Sequence, residues 1–189
     1  KYNTKSPIVY NTVQLYRWDR LAYLKQLHKK GIENNFGIGV KLVRGAYMEK
    51  ERNRAQEKGY PSPIQPDKKS TDRDYDLALE YCVENNIAVC AGTHNEASSL
   101  HLVNLIKNNN LDKTNKEFYF AQLLGMSDHI SFNLSKHGYN VAKYVPYGPV
   151  KDVIPYLIRR AEENKSVAGQ TSRELSLISA EIKRRKIPN

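Results

Sequence analysis

The feature that most constrains this chain is its rhythm: short apolar runs alternate with longer helical patterns, five times over. Such alternation builds βα units, each strand returning parallel to the last through a helix, and predicts an α/β protein with a mostly parallel sheet. Strands are expected at Pro7 to Asn11, Gly37 to Val43, Ile87 to Ala91, Phe118 to Gln122 and Val141 to Tyr144. After the first, Leu15, Trp18, Leu21, Leu24 and Leu27 recur at helical spacing until Gly31, which is expected to stop the helix. A charged helix is expected over Met48 to Lys58, then a proline-rich loop, then a helix capped within Ser70 to Asp72. Asn95 suits the cap of the next helix, Pro149 the start of another, and Thr171 with Glu174 a capping box on the last. No repeat or linker divides the chain, so a single domain over residues 1–189 is expected. Five units fall short of a (βα)8 barrel, which takes about 250 residues, leaving an open doubly wound sheet or an incomplete barrel.

Thirty Lys and Arg against twenty Asp and Glu give a formal charge of +10, which suits nucleic acid, anionic lipid or an anionic small molecule. The cations are dispersed, and Lys183 to Lys186 stand where a helix dipole favours them, so a basic solvated surface is the plainer reading. A basic nucleic-acid or membrane-surface binding protein is the competing class. Two cysteines, Cys82 and Cys90, exclude a disulfide framework and a Cys-rich zinc site. Neither GxGxxG nor GxxxxGK[ST] occurs, and Asp72, Asp74 and Asp76 lack the glycine and glutamate of a calcium loop.

Three strand-end constellations can carry chemistry. Tyr156, Arg159, Arg160 and Glu163 are spaced to share one helix face, where two guanidiniums suit a carboxylate and Glu163 can orient Arg159; a solvated surface face explains the spacing equally well. In Lys41-Leu42-Val43-Arg44-Gly45-Ala46-Tyr47, strand alternation sends Lys41 and Val43 to one face and Arg44 to the other, so at most one cation enters the interior. Gly45 permits close approach of a flat ligand. His94, in Gly92-Thr93-His94-Asn95, is a base, a metal ligand or a hydrogen-bonding residue; without a second ligand at metal spacing, hydrogen bonding is the better assignment.

Lys41 to Tyr47, Thr93 to Asn95, Gln122 to Met126, Lys143 to Pro149 and Tyr156 to Asn164, taken in order, resemble the proline dehydrogenase family. Tyr10-Asn11-Thr12 with Gln14 resembles the strand that precedes them there. The resemblance implies a (βα)8 TIM-type barrel, of which the five units would be strands four to eight; earlier strands, expected before Pro7, would add a lysine and an aspartate. It implies an FAD-dependent enzyme of proline catabolism that oxidises L-proline to 1-pyrroline-5-carboxylate by hydride transfer from proline C5 to flavin N5. Electrons would pass to a membrane quinone, with peripheral contact at the inner face of a bacterial membrane or at the mitochondrial inner membrane, and no nucleic acid.

By motif position, Arg159 and Arg160 match the carboxylate pair, Glu163 the acid that orients the first, and Tyr144, Tyr156, Leu123 and Ala46 the substrate walls. Gln14, Lys41, Val43, Gly45, Ala46, Thr93, His94 and Asn95 match flavin-contacting segments, with Lys41 as the catalytic cation and no metal. The best-known bacterial pattern has arginine at the Lys41 position and lysine at Arg44; here the two are exchanged. A partial barrel could also keep these residues without activity.

Overall fold

The computed structural model describes residues 2–4, 6–166 and 170–185; the side chains of 159, 161–166 and 170–174 lie outside the description. The chain divides into two compact units, Lys1–Val145 and Pro146–Asn189. The first holds β1 (Tyr10–Gln14), α1 (Arg20–Glu33), β2 (Gly39–Val43), α2 (Met48–Lys58), α3 (Lys68–Glu84), β3 (Ala88–Gly92), α4 (Glu96–Asn108), β4 (Phe118–Leu123), α5 (Asp128–Lys136) and β5 (Val141–Tyr144). The second holds α6 (Val150–Ser166) and α7 (Gln170–Arg185).

All four strand pairings are parallel, and the strand order is β1-β2-β3-β4-β5. That order decides between the two architectures open to the sequence. A doubly wound sheet reverses direction at a switch point, whereas a barrel adds each strand beside the last. The unit is therefore part of a (βα)8-type barrel.

The register sorts residues by face. Val13, Leu42, Ala91 and Phe120 are at most 1% exposed and pack against helices, joined by Leu24, Tyr75, Leu79, Leu102 and Ile106 in one core cluster. The alternate positions, including Gln14, Lys41, Val43, Leu123 and Tyr144, share the opposite face. Core residues thus hold one side of the sheet rigid while leaving the other for chemistry.

Several boundaries move. The first strand starts at Tyr10, not Pro7, because Asn3 takes up the preceding backbone, accepting from the Ile8 and Val9 N–H groups and donating to Val9 O; Ile8 and Val9 are exposed. Leu15 and Trp18 are not helical: Leu15 extends the β1 pairing to Val43 O, and Trp18 is exposed, with Nε1 donating to Ser62 O. Gly31 does not stop α1 but lies inside it, where a Cβ would sit 2.8 Å from Ile38 Cγ1; it is a close-approach glycine. Asp67, not Ser70 to Asp72, caps α3, accepting from Ser70 N. Helix α5 was not anticipated, although Ile130 and Leu134 have the right spacing.

In the second unit Pro155 lies inside α6, removing one helical hydrogen bond. Glu181 of α7 accepts from Arg184 and Arg185, so part of the basic terminal cluster is neutralised locally. The side chains of the expected Thr171–Glu174 capping box, and Lys186, lie outside the described residues. Among the described residues no helix is long and apolar enough to cross a membrane.

Candidate active site

The two cations of the β2 motif have opposite surroundings. Arg44 turns to the helix side. Its Nε donates to Asp72 Oδ1 at 2.7 Å, Nη1 to Thr93 Oγ1 at 2.7 Å and Nη2 to Ser98 Oγ at 3.0 Å. The guanidinium also lies 4.4 Å from the centre of the buried Tyr75 ring. Ser98 passes the contact on to Asp76, and Thr93 Oγ1 accepts from Asn95 N. Arg44 therefore fastens the end of β2 to α3 and to the β3–α4 turn that carries Thr93, His94 and Asn95. Each charge-assisted bond is worth about 1.5–3 kcal/mol. Burial pushes the Asp72 carboxyl up, but the hydrogen bonds and charges of Lys68 and Arg44 outweigh it and hold the pKa below its ordinary value.

Lys41 takes the other face. Its Nζ stands 5.5 Å from the centre of the Tyr144 ring, and among the described residues no carboxylate pairs with it. Strand pairing sets Lys41 opposite Thr12 and Cys90, and Gln14 opposite Val43, while Leu123 pairs with Tyr144. The expected residues from four strands thus share one face towards the C-terminal strand ends, where α/β barrels build their sites. A cation so placed suits a planar ligand that carries or takes on negative charge.

Gly45 meets a close neighbour within the protein itself. Its φ is +128°, and a Cβ there would sit 1.8 Å from Cδ1 and Cε1 of Tyr16. The close neighbour is therefore a side chain of this protein. Tyr16 is buried and donates its hydroxyl to Glu51, which also accepts from Arg17 Nη1 at 2.9 Å, so the β1–α1 loop is locked to α2. Thr93 likewise spends its acceptor capacity on Arg44 and Asn95 N. Asn95 caps α4 through Ser98 N, as expected.

His94 Nδ1 lies 2.9 Å from Ser127 Oγ. Burial, with the charge of Lys143 added, lowers the His94 pKa from its ordinary value, so the ring is neutral at neutral pH. Lys143, on the helix face of β5, donates to Met126 O at 2.8 Å and to Asp128 Oδ1 at 2.7 Å. Ser127, Lys143 and Tyr16 were not singled out in the sequence. Lys143 stands there only as the first residue of the Lys143 to Pro149 motif.

Of the helix-face constellation, Tyr156 and Arg160 are described: the Arg160 guanidinium lies 5.1 Å from the Tyr156 ring centre on α6. Arg159 and Glu163 belong to the same helix, but their side chains lie outside the described residues. Ala46 follows Gly45 in the β2–α2 loop. Among the described residues no three His, Cys, Asp or Glu side chains cluster to hold a metal ion.

The family model "Proline dehydrogenase" matches residues 1–173. The chain is similar to proline dehydrogenase 1, mitochondrial, of Dictyostelium discoideum (41% identical, 98% of this chain and 34% of the relative) and of Homo sapiens (40%, 98% and 32%). It is equally similar to hydroxyproline dehydrogenase of Xenopus laevis (41%, 97% and 41%). It spans well under half the length of each of these relatives. Among solved structures it resembles proline utilization A from Bdellovibrio bacteriovorus inactivated by N-propargylglycine, with TM-score 0.79 and 28% identity over 86% of this chain and 17% of that one. A proline utilization A with proline bound in remote sites gives TM-score 0.74 and 25% identity over 84% of this chain and 16% of that one. With its strand order, its strand-end motifs and these matches agreeing, the chain belongs to the proline dehydrogenase family.

Proposed function

We propose that this chain supplies the flavin-binding and substrate-clamping part of a proline dehydrogenase, with both compact units belonging to one catalytic barrel domain. The observation that carries the reading is the strand register, which gathers Gln14, Lys41, Val43, Leu123 and Tyr144 on one sheet face. FAD would be held by Gln14, Lys41, Val43, Ala46, Thr93, His94 and Asn95, with Gly45 offering backbone alone because Tyr16 covers its side-chain position. The flavin, when bound, supplies the hydride acceptor for oxidation of L-proline to 1-pyrroline-5-carboxylate. Lys41 keeps a positive charge beside it.

The paired guanidiniums of Arg159 and Arg160 clamp the substrate carboxylate, with Glu163 fixing the direction of Arg159. Tyr144, Tyr156, Leu123 and Ala46 wall the proline ring and exclude water. Holding the carboxylate orients the ring, which converts an encounter into an oriented unimolecular step. The electrons go on to a membrane quinone, which brings the enzyme to the inner face of a bacterial membrane, or to the mitochondrial inner membrane, as a peripheral protein.

The test uses the intact protein: a flavin absorption spectrum and dye reduction with L-proline, assayed in parallel with hydroxyproline because relatives of both names are equally similar. Arg159→Ala and Arg160→Ala should each lower kcat/KM for proline more than tenfold, the equivalent of losing about 1.5–3 kcal/mol of charge-assisted contact. A flavin-free protein, or one in which neither substitution matters, overturns the reading.

A further inference from the structure

Among the described residues four non-glycine positions have positive φ: Asn35, Asn86, Asn110 and Ser127. The first three are asparagines just beyond the ends of α1, α3 and α4, where asparagine tolerates the left-handed conformation and ends a helix well. Ser127 breaks that pattern. It is a serine, it precedes α5, it is 1% exposed, and its φ and ψ are 52° and 42°. It stands at an N-cap position yet makes no side-chain cap bond. Its hydroxyl lies instead 2.9 Å from His94 Nδ1.

Two local advantages are thus forgone at one residue, an unstrained backbone and a capped helix, at the place where its hydroxyl meets His94. Lys143 braces the corner from either side, donating to the carbonyl of Met126 and to the carboxylate of Asp128, the residues flanking Ser127. Buried non-glycine residues held in the left-handed region mark places where surrounding structure over-determines the backbone for a purpose.

We infer that Ser127 is a positioning residue of the redox site: braced by Lys143, it fixes the orientation of the His94 ring, and through that ring the hydrogen bond offered to the flavin. The two ring nitrogens are rigidly linked, so holding Nδ1 sets where Nε2 stands and which way it points. The inference rests on the flavin reading proposed above.

The experiment is a double-mutant cycle of Ser127→Gly and His94→Ala in the intact holoenzyme, read by kcat, KM, flavin midpoint potential and Tm. Glycine adopts this backbone without strain, so Ser127→Gly should leave Tm unchanged or raised. It should nevertheless lower kcat about tenfold with little change in KM, and shift the flavin potential. In the His94→Ala background the same substitution should have less than about a twofold further effect, because its route of action is gone. A Ser127→Gly enzyme with parental kcat and potential overturns the inference. So does a lowered Tm with matching loss of flavin, which would make the hydroxyl structural, or a tenfold loss that persists without His94. A parent protein that binds no flavin overturns the underlying reading instead, and the two failures are thereby told apart.

Discussion

Lys41 and Arg44 are both cations in one short motif, yet they have opposite fates. Arg44 points into the helix layer and is bonded on every arm, to Asp72, Thr93 and Ser98, with Tyr75 beneath it. Lys41 points to the other sheet face and meets the Tyr144 ring with no carboxylate among the described residues. A cation bonded through each of its nitrogens stabilises; one left unbalanced is available for a ligand. Charge alone does not separate the two. Strand alternation does, because an odd separation along a strand puts two side chains on opposite faces.

That contrast can be broken by substitution. Arg44→Met should produce the largest effect, about 3 kcal/mol of lost stability, because it strips Asp72, Thr93 and Ser98 of a charged partner together. Urea unfolding would register it as a lower midpoint at unchanged m, and a loss below about 1 kcal/mol would mean the network is decorative. Gly45→Ala comes next, at roughly 2 kcal/mol, since its methyl would have to displace the Tyr16 ring at an unfavourable φ. Thermal melts on both substitutions should rank them in that order.

Lys41→Met sharpens the comparison from the other side. Its unfolding midpoint should stay within about 0.5 kcal/mol of the parent while turnover with proline drops at least tenfold, a separation that Arg44 substitutions cannot give. The smallest effect is expected from pH. Burial pushes the Asp19 carboxyl up, but the hydrogen bonds and charges of Arg17 and Arg20 overcome it and hold it at about 2 in the fold. A carboxyl with a depressed folded pKa stabilises fully above its unfolded value and loses that contribution as pH falls towards the folded one. Stability should therefore decline between pH 3.8 and about 2, and an Asp19→Asn titration should be flatter there.

What was legible in the sequence follows the range of the interactions involved. Period-two alternation is local, so the opposed directions of Lys41 and Arg44 could be read directly. The partners of Arg44 could not, because Asp72, Tyr75, Thr93 and Ser98 reach it only after the chain has returned through α3 and β3. The first strand was misplaced since Ile8 and Val9 are apolar but exposed, and apolar character is only a proxy for burial. The neighbour that makes glycine necessary at position 45 was not legible, because the Tyr16 ring comes from the preceding βα loop. Ser127 was invisible: its significance lies in a backbone angle and a bond to His94, neither of which serine as a residue type announces. The same holds for α5, a short helix whose start carries no side-chain cap.

The sequential strand order also bears on how the molecule is made. Every pairing in the sheet joins neighbours along the chain, from Phe120 with Val141 to the longest step, Gly39 with Ala88. Loops of such modest length cost little entropy to close, and none must wait for a distant segment. Each βα unit can therefore dock on the one already formed while the ribosome is still adding residues. The face that carries Lys41 would grow in the same order, Gln14 before Tyr144, so the aromatic neighbour of Lys41 arrives only after the strand that carries the lysine has been fixed in place.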